Sequence, residues 1–231
     1  MKKFKIRASS GVKLLTAGGK FSKAETPKTL VKEWLISELT GKIKSIESKC
    51  LRRGVEVEDL AIERISKKLS IDLKKNEDYF ENEFFTGTPD VIAKDCVIDA
   101  KSSWDCFTFP YFMTSPPLIY VAQLQIYMDL TGLKKAKLAY CLENGTEEQI
   151  NKLAWQKAHE VGGDEPTIEH WDQAEKDLNY DHLEDDLRIK IFNIDYDLIM
   201  INNLKDGVAF WRESIEKELS PMLIKKDKLS L

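Results

Sequence analysis

The sequence predicts an α/β fold in which a central mixed β-sheet is flanked by helices. Three observations support this prediction. Apolar residues recur at helical spacing through the first third of the chain, short β-rich runs begin at Phe84, and strand-like and helical segments alternate after that point. With 231 residues the chain can bury a substantial core, and we expect one domain over residues 1–231.

The predicted elements follow one another along the chain. Helical spacing of apolar residues indicates two helices before the first strands. Phe84-Phe85 then opens a β-rich region, and the polar pair Lys94-Asp95 separates two apolar runs as a hairpin turn does. A third helix follows a proline-rich loop and is expected to end at Gly132. Helices are thus predicted at 29–39, 57–69, 118–130 and 204–219, and strands at 90–93, 96–100, 136–142 and 188–194.

The net charge of −4 conceals an uneven distribution of charge along the chain. Through Gly54 the sequence has 14 Lys or Arg against 4 Asp or Glu, whereas residues 143–186 have 14 acids against 3 lysines. A basic amino-terminal region could contact phosphates while the acidic stretch, an expected insertion between two strands, faces elsewhere. Charge alone favours the simpler alternative of two solvated helical faces.

Nothing in the sequence predicts a membrane segment or a zinc site. Lys2, Lys3 and Lys5 fall where a signal peptide needs its apolar stretch, and no apolar run approaches membrane-spanning length. We therefore expect a cytoplasmic protein with no membrane partner. The four cysteines are scattered without a CxxC pair, and no histidine belongs to an HExxH motif.

The predicted hairpin brings charged side chains together. If Lys94-Asp95 forms a two-residue turn, Asp90 lies directly opposite Asp99, with Cβ atoms about 4.5–5.5 Å apart. Two carboxylates at that distance repel each other unless a cation lies between them. Lys101 projects to the same face because side chains alternate along a strand. The arrangement predicts a divalent-metal site with an ammonium group beside it.

Each part of this pattern also has a simpler interpretation. Asp90 could belong to a turn, and Asp99 with Lys101 could be an exposed pair on a strand. The surroundings of Asp99 favour the metal site, because an unpaired carboxylate within the apolar run 97–100 would be costly.

A third carboxylate and two polar side chains on helices complete the candidate site. Glu58 is in helical register with Ile62 and Ile65, so we expect it to face inward. The alternative is a cap or salt-bridge partner at the edge of the core. Gln123 and Tyr127 are four residues apart on one helix and share a face, although buried packing alone would explain a tyrosine there.

These segments resemble, in the same order, the motifs of the lambda-exonuclease-like (YqaJ-like) viral recombinases within the PD-(D/E)xK nuclease superfamily. The resemblance extends over most of the chain. The matching segments are Ile6-Arg7-Ala8-Ser9-Ser10, Arg53-Gly54-Val55-Glu56-Val57-Glu58, Gly87-Thr88-Pro89-Asp90, Ile98-Asp99-Ala100-Lys101 and Tyr120-Val121-Ala122-Gln123-Leu124-Gln125-Ile126-Tyr127-Met128.

The resemblance implies a metal-binding role for the acidic residues. Asp90, Asp99 and the backbone carbonyl of Ala100 would hold Mg²⁺, which Mn²⁺ could replace. Glu58 would bind the metal or orient its water. Lys101 would position and polarise the attacking water.

The remaining motif residues would support the site or contact DNA. By the resemblance, Gln123 would support the site and Tyr127 would contact DNA. Ser9 and Thr88 match hydroxyl positions near the terminal 5′-phosphate. The family's separate phosphate-binding arginine lies upstream of the opening signature, and Arg7 or Lys2 is the expected substitute here.

The resemblance also implies a restriction-endonuclease-like core and a function. The expected activity is Mg²⁺-dependent degradation of double-stranded DNA ends, 5′ to 3′, leaving single strands for an annealing protein in phage-type recombination. Relatives suggest a trimeric ring around DNA, and a phage-encoded protein would work in the host cytoplasm. Two alternatives stay open: a structure- or sequence-specific endonuclease, and a non-cleaving DNA-end-binding module.

Overall fold

The computed structural model describes residues 2–42, 44 and 49–229, with elements in nearly the predicted order. The helices are α1 (Glu25–Thr40), α2 (Lys49–Glu56), α3 (Glu58–Leu69), α4 (Leu118–Thr131), α5 (Glu147–Glu160), α6 (Ile168–Asp177) and α7 (Leu198–Leu229). The strands are β1 (Ile6–Arg7), β2 (Phe80–Glu81), β3 (Phe85–Gly87), β4 (Val91–Ile92), β5 (Val97–Ser102), β6 (Lys135–Cys141) and β7 (Ile189–Asp195). Short 3-10 helices occupy Ala8–Leu14 and Asp185–Leu187.

Within the described residues the strands form two mixed sheets. One has the order β1-β3-β2, with β1 parallel and β2 antiparallel to β3. The other has the order β4-β5-β6-β7, in which β5 and β6 are parallel and the outer pairs antiparallel. The predicted α/β fold with a mixed sheet flanked by helices is confirmed, and a second, smaller mixed sheet accompanies the four-stranded one. Pro89 separates β3 from β4, and proline has no N–H with which to continue a ladder.

β4 and β5 form the predicted hairpin. The Ala93 N–H donates to the Cys96 carbonyl at 2.9 Å, which closes the two-residue turn. The predicted register is therefore confirmed. One position beyond the pair of Val91 and Ile98, the same register places Asp90 opposite Asp99. The ladder pairs are Val91 with Ile98 and Ile92 with Val97.

Helix α4 is the central helix of the larger core. It packs against strands β5 and β6 and is also covered by α7 and the 3-10 helix at Ala8–Leu14, so every residue from 122 to 128 is buried. A helix covered in this way needs no solvent-facing polar side, and the polar side chains of its buried stretch, Gln123 and Gln125, have hydrogen-bond partners inside the protein. It ends, as predicted, at Gly132, where a φ of 77° is easily adopted by glycine.

Helix α3 covers the opposite face of the four-stranded sheet. Ile62 and Ile65 on α3 pack with Ile98 of β5 in a second, smaller core. Because side chains alternate along β5, Asp99 points to the other face, toward α4. The carboxylate therefore lies between the sheet and the most buried helix of the protein.

Several predicted element boundaries need correction. Helix α1 begins at Glu25 rather than 29, and α7 begins at Leu198 rather than 204. The early start of α7 has a local cause, because Asp197 Oδ1 accepts the N–H groups of Ile199 and Met200. The helix predicted at 57–69 starts one residue later, behind α2. β1 and β2 were not predicted, since two residues are too few to show alternation.

The acidic stretch 143–186 lies between β6 and β7 and contains α5 and α6. Its first residue is not solvated: Glu143 is 4% exposed and accepts two hydrogen bonds from Arg64, at 2.7 and 2.9 Å. Arg53 Nε also donates to Gln149 Oε1 at 2.6 Å. The stretch is therefore attached to α2 and α3 at its start.

No helix in the described part of the chain combines the length and apolar character needed to cross a bilayer. Cys96 and Cys141 are buried free thiols, and Cys106 is a half-buried free thiol. The side chain of Cys50 lies outside the described residues.

Candidate active site

Asp90 and Asp99 mark the open end of the hairpin. Asp99 is fully buried on β5, and Asp90 is half-buried just before β4. Asp90 Oδ2 accepts a hydrogen bond of 2.8 Å from the Ala100 N–H. The carboxylate oxygen thus takes the place that a backbone carbonyl would have if the β4–β5 ladder continued. Because the N–H and C=O of a strand residue point to the same side, the Ala100 carbonyl lies on the Asp90 side of β5.

Lys101 lies on the same face as Asp99. Its Nζ is 2.6 Å from Asp99 Oδ2 and 5.2 Å from the centre of the Tyr120 ring. Burial lowers the pKa of Lys101, but the carboxylates of Asp99 and Asp90 outweigh burial and raise the pKa above its usual value. The side chain is therefore a fixed positive charge at neutral pH.

Gln123 and Tyr127 of α4 hold Asp99 from the other side. Gln123 Nε2 donates to Asp99 Oδ1 and to the Tyr127 hydroxyl, both at 3.0 Å. The tyrosine is 5% exposed, and burial raises the pKa of Tyr127 to about 12, so it is neutral. The hydroxyl of this buried ring accepts the hydrogen bond from Gln123, and the contact with DNA that the family resemblance implied for Tyr127 stays a prediction.

Glu58 lies at the first position of α3, at the edge of the smaller core. Its side chain is 20% exposed, and Oε2 is 2.9 Å from Lys75 Nζ. The predicted inward orientation is therefore only partly correct. The salt-bridge alternative at the edge of the core describes the contact that Glu58 makes.

The two central carboxylates are electrostatically strained. Burial and the neighbouring Asp99 raise the pKa of Asp90 to about 7. Burial also raises the pKa of Asp99, although Lys101 counteracts this effect. Both groups are thus harder to ionise than ordinary aspartates, chiefly because burial disfavours their charged forms, and Asp90 also because its charge is repelled by that of Asp99. A divalent cation between them would relieve that repulsion.

The donor set fits Mg²⁺ better than a softer metal. Asp90, Asp99 and the Ala100 carbonyl offer hard oxygen ligands, and Mg²⁺ is commonly bound by one or two carboxylates with several waters. Within the described residues, no three metal-ligating side chains are already gathered around one point. The sequence grouped Glu58 with the two aspartates, and in the structure the Glu58 carboxylate accepts a hydrogen bond from Lys75.

The predicted phosphate-binding residues lie near one edge of this site. β1 and β3 are parallel neighbours with Arg7 opposite Thr86, so Ser9 and Thr88 follow adjacent strands in the same direction. Both residues are exposed. Arg7 is also exposed, and its side chain makes no hydrogen bond or ion pair with residues that the structure describes. Thr88 is two residues before Asp90 in the sequence, so these residues are close along the chain to the first carboxylate.

Gly87 has a role that its motif did not reveal. A Cβ built at this position would lie 2.8 Å from Tyr127 Cε1, which is too close without movement of the ring. The missing side chain therefore lets Tyr127 pack beneath β3 and hold Gln123. No pattern in the sequence links residues 40 positions apart in this way.

Gln125 belongs to the same motif but supports the fold instead. It is 1% exposed, and its Nε2 donates to the Asp195 carbonyl at 2.7 Å. Its Oε1 accepts the N–H of Asp197 at 2.7 Å. The two glutamines of the motif thus face opposite ways, Gln123 toward the carboxylates and Gln125 toward the connection between β7 and α7.

Comparison with known proteins identifies structural neighbours. No protein-family model matches the sequence, and no curated protein matches it. A crystal structure of a phage-related exonuclease from Haemophilus somnus is similar, with a TM-score of 0.73 and 24% identity over 96% of this chain and 97% of that chain. The alkaline exonuclease LHK-Exo from Laribacter hongkongensis matches with a TM-score of 0.65 and 18% identity over 97% of this chain and 94% of that chain.

A second structure of LHK-Exo, in complex with dAMP, matches with a TM-score of 0.66 and 19% identity over the same shares of the two chains. At these identities the similarity concerns the fold. The matches cover nearly all of this chain, including the stretch 143–186. This chain therefore has the fold of the phage-related and alkaline exonucleases, as its sequence motifs predicted.

Proposed function

We propose that this protein is a metal-dependent DNA exonuclease that hydrolyses phosphodiester bonds at the ends of duplex DNA. The observation that carries the proposal is the group formed by the half-buried Asp90, the fully buried Asp99 and Lys101 on one face of the β4–β5 hairpin. Two opposed carboxylates beside a permanent ammonium suit a metal-assisted attack on phosphate. The exonuclease fold of the chain agrees with that chemistry.

In this proposal Asp90 and Asp99 bind Mg²⁺, with the Ala100 carbonyl as a third protein ligand and Glu58 binding the metal or orienting a water. When bound, the metal would lower the pKa of a water and stabilise the leaving oxygen. Mn²⁺ would substitute, since it also accepts oxygen ligands.

The protein's own side chains supply the remaining steps. Lys101 neutralises negative charge that develops on the phosphate and positions the attacking water. Gln123 fixes the orientation of Asp99, and Tyr127 fixes Gln123. Preorganisation of this kind matters because a buried site cannot rely on water to reorient around new charge.

End recognition would use the edge formed by Arg7, Ser9 and Thr88. Their exposed hydroxyl and guanidinium groups could bind a terminal 5′-phosphate through charge-assisted hydrogen bonds. Such recognition would give 5′ to 3′ degradation and leave single strands. The structure of LHK-Exo in complex with dAMP supports a nucleotide as the class of ligand.

The same proposal extends to the biological setting. Single strands made in this way would be substrates for a single-strand annealing protein in phage-type recombination, in the host cytoplasm. A homo-oligomer, trimeric by family resemblance, would surround the DNA. Residues 1–231 would act as one domain, with 143–186 as an acidic insertion. Light scattering after size-exclusion chromatography tests the oligomer directly.

One cleavage assay tests the central proposal. Linear duplexes with 5′-phosphate or 5′-hydroxyl ends and a covalently closed circle are incubated with the protein and Mg²⁺. The Asp99→Asn variant is the matched control, because it removes one charge and preserves shape. We expect degradation of the phosphorylated linear duplex to be fastest, the circle to survive, and the variant to be inactive.

The other outcomes separate the alternatives. Efficient cutting of the circle would identify an endonuclease of the same fold. Binding of DNA ends without cleavage, in either Mg²⁺ or Mn²⁺, would identify a non-cleaving end-binding module. Full activity of Asp99→Asn would disprove the assignment of the site.

A further inference from the structure

Lys75 stands between the two elements that carry the candidate metal ligands. Its backbone forms an antiparallel bridge with Val91, the first residue of β4. Its side chain reaches Glu58 of α3, with Nζ 2.9 Å from Oε2. The residue therefore connects the strand next to Asp90 with the helix that begins at Glu58.

The backbone around Lys75 is held firmly to the site. The Asn76 N–H donates to the Asp90 carbonyl at 2.8 Å, and Asn76 Nδ2 donates to the Pro89 carbonyl at 2.9 Å. These bonds hold the segment against the backbone of Pro89 and Asp90. The Lys75 ammonium consequently stays within reach of the site even when its side chain moves.

The two lysines near the site differ in their freedom to move. The Lys101 side chain is 24% exposed and is packed beside Tyr120 and Asp99, whereas that of Lys75 is 37% exposed. A lysine side chain with an exposed ammonium can swing into water at little cost, because its flexible stem remains in contact with the protein. Lys75 can thus leave Glu58 while Lys101 stays in place.

The ion pair with Lys75 engages one of the two carboxylate oxygens of Glu58. An ammonium on Oε2 uses an oxygen that a divalent cation would require. Glu58 adds a third negative charge near Asp90 and Asp99, and each raised carboxylate pKa includes a contribution from it. Without a cation on Glu58, the metal-free protein would hold three carboxylates in mutual repulsion.

We propose that Lys75 is an exchangeable counter-ion for Glu58, which it neutralises in the metal-free protein and for which it competes with the divalent cation. The inference rests on the proposed function, because it takes Glu58 as part of the metal site. A cation held by Asp90, Asp99 and Glu58 would displace the Lys75 ammonium from Glu58. Lys75 is a positioning residue in this scheme, not a ligand.

Calorimetric titration with Mn²⁺, in the absence of DNA, tests the proposal without relying on activity. Lys75→Met removes the competing charge, and Lys75→Gln removes it while keeping a polar end. The matched control is Lys74→Met, since Lys74 is an exposed neighbour that loses the same charge. We expect both Lys75 variants to bind Mn²⁺ about two- to fivefold more tightly than the control, a range set by the strength of exposed ion pairs.

Thermal unfolding in EDTA provides a second readout. Removing the counter-ion should lower the melting temperature of the metal-free protein below that of Lys74→Met, because Glu58 then stays unneutralised. In a Glu58→Gln background, Lys75→Met should have no further effect on either quantity. This double-mutant cycle isolates the interaction between the two residues.

Several outcomes would overturn the proposal. Weaker Mn²⁺ binding in the Lys75 variants would mean that the lysine holds Glu58 in place for the metal. Binding equal to that of Lys74→Met would mean that the pair is an ordinary surface contact. Asp99→Asn, titrated in parallel, distinguishes these failures from failure of the proposed function: if it binds Mn²⁺ normally, the metal site itself is wrong.

Discussion

Gln123 Nε2 donates a hydrogen bond of 3.0 Å to Oδ1 of the fully buried Asp99. This bond joins the central helix to the strand that carries the proposed metal ligand. It leaves Oδ2 of Asp99 to Lys101, so the two carboxylate oxygens have different partners. The orientation of the carboxylate therefore depends on α4 as much as on its own strand.

We expect Gln123→Ala to weaken metal binding or activity by about 10- to 100-fold, the usual effect of removing a residue that orients a ligand. Gln125→Ala is the matched control on the same helix. It should lower the melting temperature, because it leaves the Asp197 N–H unpaired, but should not change Mn²⁺ affinity. Equal losses of metal affinity in the two variants would contradict a specific role for Gln123.

Lys101→Met should reduce single-turnover cleavage by about 10²- to 10³-fold, the range for losing one preorganised charge-stabilising group. Calorimetric metal affinity should stay nearly intact, because an ammonium cannot ligate Mg²⁺. Lys135→Met, at an exposed position on β6, controls for the loss of charge. A collapse of metal affinity in Lys101→Met would instead make Lys101 a structural partner of the carboxylates.

Stability of the metal-free protein should depend on pH through Asp90. Its pKa of about 7 exceeds the ordinary value of 3.8, so the folded state keeps a proton that the unfolded state has already lost. The resulting stabilisation is present at low pH and is lost as pH rises from about 4 to about 7. Metal affinity should rise over the upper part of this window, since ligation requires the ionised carboxylate.

Urea unfolding in EDTA at several pH values measures this effect. Asp90→Asn removes the titrating group and should flatten the decline in unfolding free energy. If the variant and the natural protein show the same dependence on pH, the raised pKa belongs to another group.

Glu143→Ala should destabilise the protein by about 3 kcal/mol, because it removes the buried carboxylate that pairs with Arg64 and with the buried Arg188, leaving Arg64 only the exposed Asp185. Glu148→Ala removes an exposed partner of Arg52 in the same acidic stretch and should cost about 1 kcal/mol or less. Chemical denaturation compares the two variants. Similar losses would show that the buried pair at the start of this stretch contributes no more than a surface contact.

The sequence by itself determined the hairpin and the face that its charges share. The turn at Lys94-Asp95 sets the register of β4 and β5, and strand alternation then places Asp90, Asp99 and Lys101 together. The end of α4 at Gly132 was predictable for a similar reason. These features follow from backbone geometry over a few residues, so a local pattern contains the information that specifies them.

Only the tertiary structure decided which partners these side chains take. Glu58 pairs with Lys75 from a loop after α3, although its helical register predicted an inward-facing side chain. Glu143 is buried against Arg64, although the local excess of acids favoured a solvated face. Pro89 divides the strands between two sheets for a local reason, but the space beneath Gly87 is filled by Tyr127 from a distant helix. Such contacts depend on how separate elements pack, and residues far apart in sequence leave no periodic signal of their meeting.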